Sequence, residues 1–313
     1  MTNKVIPIRL SHSSLETLHE CERKWQLDKL LANGTDREDS EHTVFGKAFG
    51  VGVAAYAVTQ DADMALWQAW YSYWPEIETE KKNIPRLLSA LMSSFIELDT
   101  LLMEYEVVEF NGKPAVELSF RLEVTDEYYF VGHIDLVLRN RFTGVHYVLD
   151  AKTTGLSILD LSPLYKHSGQ TLGYSIALDR IVGAELSSYG VIYFVAQLGK
   201  DFKAKIHTLT YEKTLMDRLN WFITLGLDVK HLEEMAELNI YPKRHTACLH
   251  FMRPCREFGT CDLHALDTPK IRTEDNIAYD FSYKLEDLIA DHMRRIPQSE
   301  MAEADDTIVE LVE

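Results

Sequence analysis

The tripeptide Asp150-Ala151-Lys152 closes an apolar run, VHYVLDAK, that reads as a strand over residues 145–152. Residues two apart in a strand share a face, so a carboxylate and an ammonium would stand side by side there. Such a pair suits a divalent cation and an oriented water molecule. A lone D-x-K carries little weight, because the chain repeats it at Asp201-Phe202-Lys203 and Asp228-Val229-Lys230. Glu22-Arg23-Lys24 and Glu80-Lys81-Lys82 follow a related pattern, and exposed helices or turns are the expected place for most of these copies. The copy at 150–152 is set apart by its neighbour. The preceding run, YYFVGHIDLVLR over 128–139, carries Asp135. A hairpin across 139–145, turning near Thr143-Gly144, would bring Asp135 and Asp150 together. Close carboxylates repel unless a cation lies between them. The alternatives are two aspartates capping strand ends, or an ion pair of Asp135 with Lys152.

Downstream, Gln170 and Tyr174 lie four apart and would share a face of a helix expected over 164–182. An amide and a hydroxyl on that face could hold a phosphate or a sugar, although amphipathic helices often carry such pairs. Glu117 sits on the strand before Asp135, where it would suit a surface ion pair. His133, two residues before Asp135, should share its face.

These groups need a scaffold, and the residue pattern supplies one. Helices are expected over 13–31, where Ser13 and Glu16 fit the S-x-x-E capping box, and over 44–58, 62–74 and 85–107, the last with Pro85 near its start. VELSFRLEV over 116–124 alternates as a half-buried strand does. Further strands are expected over 128–139, 145–152, 189–197 and 203–211, and further helices over 212–238 and 282–296. The order is helices, then β-β-β-α-β, then helices, which is an α/β class with a mixed central sheet. The organisation read from this is an N-terminal helical region (1–110), a core (111–240), a cysteine-bearing segment with a helix (241–296) and an acidic, mobile tail (297–313).

At 313 residues with 46% hydrophobic and 26% charged side chains, the chain can bury a substantial core, enough for two domains or one large one. Whole-chain disorder, collagen and a disulfide scaffold are excluded. No apolar run approaches the ~18 residues that span a bilayer. MTNKVIPIRLSHSS lacks the apolar stretch of a signal peptide, so the expected address is the cytoplasm, without a membrane. The net charge of −17 argues against nucleic acid as a whole-chain reading. The charge is uneven. Residues 1–138 carry a net of −11 and residues 231–313 a net of −9, but residues 139–230 carry +3. A local basic surface is therefore expected in the middle third.

Taken in order, LSHSSLETLHECERKW, FGKAFG, VELSFRL, VGHIDLV, VLDAKTT and QTLGY resemble the motifs of the PD-(D/E)xK nuclease superfamily, in particular its RecB/AddB-like exonuclease branch. The resemblance spans about residues 10–262. It implies the αβββαβ core of restriction-endonuclease-like folds and a metal-dependent DNA exonuclease, with single-stranded ends as substrate. In that reading Asp135, Asp150 and the Ala151 carbonyl hold Mg²⁺ or Mn²⁺, Lys152 positions the attacking water, and Gln170 and Tyr174 orient DNA. The setting it implies is recombination, repair or phage DNA processing beside a helicase or recombinase, since the chain has no G-x-x-x-x-G-K-[ST] motif of its own. One departure stands out: Gly50 occupies the place of the family's metal-binding histidine, for which His133 could substitute. The rivals are a non-catalytic DNA-binding module and an interaction protein that docks a basic partner through its acidic tail.

The four cysteines are Cys21 before the core and Cys248, Cys255 and Cys261 after it. The same branch carries a one-plus-three arrangement around a 4Fe–4S cluster. Six residues separate the first two of the three cysteines here, where the branch commonly has two. Four thiolates suit an iron–sulfur cluster or Zn²⁺. His245, His250 and His264 keep a mixed Cys/His zinc site open, and buried free thiols are the third possibility. A bound cluster would tie the first helix to the C-terminal segment and close a very long loop.

Overall fold

The computed structural model describes residues 6–32, 40–73, 79–199, 203–250, 253–273 and 276–297. From residue 298 onward, the expected acidic tail lies outside these residues. The expected mixed α/β architecture is present. The chain divides into two compact units, one of residues 39–119 and 133–218, the other of 1–38, 120–132 and 219–313.

The sheet of the first of these units holds the acidic residues of interest. Strand Tyr128–Asn140 pairs antiparallel with Tyr105–Val107 and with His146–Thr154. His146–Thr154 pairs parallel with Tyr189–Leu198, which pairs antiparallel with Ala204–Lys213. Parallel neighbours need a crossover, and three short helices supply it: Ile158–His167, Gly169–Ser175 and Leu178–Val182. The residue pattern predicts a single helix over 164–182 instead. Ser168 ends the first piece and caps the second, and Arg218 accounts for the next break. Fully buried, it donates to the freed Ser175 carbonyl and, at 3.0 Å, to Ser175 Oγ, and it pairs with Asp179 at 2.7 Å.

Strands His146–Thr154 and Tyr189–Leu198 are central because their residues are apolar on both faces. Gly190 lies opposite Tyr147, and a Cβ there would stand 1.9 Å from the Tyr147 ring, so the strand must be bare at that point. One face is covered by helix Glu41–Thr59, which packs on helices Ala62–Tyr73 and Ile84–Glu104 and on strand His146–Thr154. Its Phe45, Phe49 and Val53 are buried, each contributing about 1.5–3 kcal/mol. Pro85 sits in the first turn of Ile84–Glu104 as expected, behind an Asn83 cap.

In the other unit, Ile8–Leu10 pairs parallel with residues 128–130 and Phe281–Lys284 pairs parallel with residues 120–123. The residue pattern predicts neither of these short strands. Helix Leu215–Leu238 lays Leu219, Phe222, Leu225, Val229, Leu232 and Met235 along one buried stripe. The expected single helix over 13–31 is two, His12–Glu20 and Glu22–Lys29, because Cys21 is extended (φ −167°, ψ 115°) and serves as the cap of both. The capping box also moves: Ser11 is the N-cap and Ser14 its reciprocal partner, rather than Ser13 with Glu16. Among the described residues no helix is long and apolar enough to cross a membrane.

Candidate active site

The ladder between Tyr128–Asn140 and His146–Thr154 runs from Arg139↔His146 to Leu136↔Leu149 and stops. The next residues in that register are Asp135 and Asp150. Beyond the last rung, the Ala151 N–H donates to Asp135 Oδ2 at 3.0 Å, so the carboxylate closes the end of the ladder. Asp150 is almost wholly buried, and its Oδ2 lies 2.7 Å from Lys152 Nζ. That oxygen receives no well-directed hydrogen bond. Lys152 Nζ donates to Gln170 Oε1 at 2.9 Å, and Gln170 Nε2 donates to the Tyr174 hydroxyl at 2.9 Å. Asp150, Lys152, Gln170 and Tyr174 therefore form one connected chain. The ammonium pairs with Asp150 rather than with Asp135.

Charge and burial act on each other here. Burial, and next the negative charge of Asp150, push the Asp135 carboxyl well above the usual carboxylate range, with the Ala151 N–H pulling the other way. Burial alone would lower the Lys152 ammonium, but Asp150 beside it holds it above its ordinary value. Burial raises the Tyr174 phenol, and Asp150 adds to the effect. Glu117 is raised by burial against the opposing charge of Lys47, and its own charge is felt at Asp135. Its φ of 52° is a left-handed conformation inside strand Val116–Glu123. His133 is exposed. Gly50 faces the site: a Cβ there would meet Asp135 Oδ2 and Ala151 Cβ, each at 3.9 Å.

The donors suit a hard divalent cation. Two carboxylates stand together, and one buried oxygen has no directed hydrogen bond. Mg²⁺ is held by one or two carboxylates and keeps several waters. Among the described residues, no group of three or more His, Cys, Asp or Glu side chains is placed to hold a metal ion. A cation at the aspartates would therefore draw its remaining ligands from water and backbone oxygen.

One nearby group departs from the exposed placement expected of the Glu80-Lys81-Lys82 triplet. Lys82 is buried, donates to Thr153 Oγ1 at 3.4 Å and lies 4.2 Å from the centre of the Phe45 ring. Burial lowers its amine to about 8. Glu22 and Arg23 likewise depart from the exposed placement expected of their triplet, being only 5% and 3% exposed. In their own unit they bind the C-terminal segment. Arg23 pairs with Asp267 at 2.8 Å and donates to the Cys261 carbonyl at 3.2 Å, while Glu22 accepts from Arg244 Nε at 2.8 Å. Asp28 adds a pair with Arg256 at 2.6 Å.

The four cysteines line one cavity of about 110 Å³, together with Lys24, Lys243 and Arg244 and the carboxylates of Glu257 and Asp262. Cys21 Sγ accepts from the Arg244 N–H at 3.5 Å, and the Cys255 N–H donates to the Cys248 carbonyl at 2.8 Å. All four are free thiols. Burial raises the Cys261 thiol. The donor type and the shared cavity fit a thiolate-bound group, but the sulfurs are not gathered to ligating distance.

A protein-family model, that of the PD-(D/E)XK nuclease superfamily, matches residues 9–266. No curated protein matches. Among solved structures, a Eubacterium rectale protein provisionally assigned as an exonuclease is 15% identical with a TM-score of 0.44, over 86% of this chain and 91% of that one. A second, SSO0001, is 14% identical with a TM-score of 0.27, over 75% of this chain and 91% of that one.

Proposed function

The chain belongs to the PD-(D/E)XK nuclease superfamily, and from that premise we propose that it is a Mg²⁺- or Mn²⁺-dependent deoxyribonuclease of RecB-like exonuclease type, acting on single-stranded DNA ends. The observation that carries the reading is the connected chain of Asp150, Lys152, Gln170 and Tyr174 beside Asp135. Asp135 and Asp150, with the Ala151 carbonyl, would hold the ion. Bound there, it would draw negative charge from the scissile phosphodiester.

The protein's own groups do the rest. Lys152 is held cationic by Asp150 and fixed in direction by Gln170. Its N–H groups orient a water in line with the phosphorus and stabilise charge developing on the non-bridging oxygens. Water adds to phosphorus and gives up a proton to solvent, the P–O ester bond breaks, and the departing sugar oxygen takes a proton from solvent. Gln170 and Tyr174 fix the strand through its phosphate or sugar.

The cysteine cavity holds a 4Fe–4S cluster in this reading, with zinc as the alternative. The support is the meeting of all four thiols in one cavity, the number of thiolates such a cluster takes. Its role is to tie the first helices to the C-terminal segment, beside the ion pairs already there. Protein purified without oxygen should be brown, absorbing broadly near ~400 nm, whereas a colourless protein with stoichiometric zinc selects the alternative.

The activity is tested by incubating the protein with labelled single-stranded DNA and Mg²⁺ or Mn²⁺. Cleavage that requires the metal and is lost in Lys152→Ala supports the enzyme. DNA binding without cleavage supports a non-catalytic module, to which Gly50 in the histidine position would point. The cellular setting follows the same reading: recombination, repair or phage DNA processing in the cytoplasm, with a helicase or recombinase supplying motor activity.

A further inference from the structure

We propose that a basic cavity in the unit of residues 1–38, 120–132 and 219–313 binds the phosphates of a single DNA strand. The proposal rests on the nuclease reading and gives it a second point of attachment to substrate. The cavity has a volume of about 410 Å³, and its wall includes Arg9, Lys29, Tyr129, Lys270, Arg272 and Asn276. No Asp or Glu among the described residues lines it.

Strand Ile8–Leu10 buries Ile8 and Leu10 and turns Arg9 outward. The parallel register sets Arg9 beside Tyr129. Outside the lining, the Arg121 guanidinium lies 4.2 Å from the Tyr129 ring centre. Arg121 Nε is buried without a hydrogen-bond partner, although its terminal nitrogen comes within 3.6 Å of Glu123. Lys270 donates to the Asp28 carbonyl at 2.5 Å and Arg272 to the Ile6 carbonyl at 3.3 Å. These backbone acceptors fix the two side chains without cancelling their charge.

An anion is the ligand such a wall selects, and the size of the cavity admits a phosphate with its sugar. With a net charge of −17, the whole molecule repels nucleic acid, so attraction must come from local cationic sites. The acidic first and last thirds of the sequence supply this one jointly, which is why charge sums along the chain do not show it.

The test uses the full chain without divalent cation, a labelled single-stranded oligonucleotide and a salt series between about 50 and 200 mM. Removing one phosphate-binding cation should shallow the slope of log K against log salt by about 0.7. Arg9→Gln combined with Arg272→Gln should therefore weaken binding and lower the slope by about 1.4, while Arg9→Lys with Arg272→Lys keeps most of both. Unchanged affinity and slope in the Gln pair would overturn the proposal. So would equal weakening in the Lys pair, which would indicate a folding role. Weaker inorganic phosphate binding with intact strand affinity would assign the cavity to free phosphate and also overturn it. If the wild type binds with this slope dependence but never cleaves, the nuclease reading fails and the cavity stands. Cleavage with an unaltered slope does the reverse.

Discussion

The aspartate–lysine site hangs on hydrogen-bonded strands, whereas the cysteine cavity is assembled from helix ends, a 3₁₀ turn and the ends of two paired two-residue strands, Leu249–His250 and Arg253–Pro254. In the first, register alone sets Asp135 against Asp150, and packing on both faces of the sheet keeps them there. In the second, position depends on ion pairs such as Arg23–Asp267 and Glu22–Arg244 and, in the proposed reading, on the group the thiols would hold. One site should therefore be preorganised and the other should respond to its ligand.

The sharpest way to break that contrast is Lys152→Ala. Cleavage should fall on the order of 10²–10³-fold, the cost of removing one stabilising donor, and the melting point should drop because buried Asp150 loses its partner, while amides in strands His146–Thr154 and Tyr189–Leu198 stay slow to exchange. Fast exchange along those strands would place the strand end among the ligand-dependent regions. The next largest effect should come from stripping the cysteine-bound group or replacing Cys255 with Ser. A ligand present at a hundred times its dissociation constant stabilises by ~2.7 kcal/mol. Amide exchange in residues 253–267 should then accelerate about a hundredfold, while that in strands His146–Thr154 and Tyr189–Leu198 stays slow. Uniform acceleration would erase the distinction.

Lys82 tests what the strand-built unit tolerates. Its amine is lowered from the ordinary 10.5 to about 8 by burial. Between those values the unfolded chain binds a proton that the folded chain does not, so stability rises with pH across that window. Lys82→Met should be the more stable form at pH 7 by roughly 1–2 kcal/mol, a margin that shrinks above pH 8. A margin independent of pH between 7 and 9.5 would contradict this origin, which thermal melting can check. The smallest expected effect is from Gly50→His. A Cβ fits at Gly50, with its nearest neighbours at 3.9 Å, and the imidazole should tighten Mn²⁺ binding about tenfold, ~1.4 kcal/mol. Unchanged metal affinity would mean that the ion does not sit on this side of Asp135.

How much can be read from sequence differs between the two regions for the same physical reason. Alternation and apolar content locate the central strands to within two residues at either end, and one hairpin then places Asp135 across from Asp150. Short-range pattern is enough because a sheet converts pattern directly into position. The crossover helix reads as continuous because its breaks depend on Ser168 and on the distant Arg218. Ile8–Leu10 and Phe281–Lys284 are too short to show a period. The burial of Glu22, Arg23 and Lys82 is invisible in the sequence because each depends on partners or packing far along the chain. The cysteine spacings fix how many thiols there are and suggest what they bind, but not how closely they approach. The Asn111-Gly112 turn between Glu109–Phe110 and Lys113–Pro114 carries a hairpin signal that the strand pattern alone passes over.

Central to the proposed function is a divalent cation that Asp135 and Asp150 would share. Titrating Mn²⁺ calorimetrically into the wild type and into Asp150→Asn tests it most directly. A saturable site in the wild type, weakened at least tenfold in the variant, is the expected result. Equal binding by both proteins, or none by either, would contradict it.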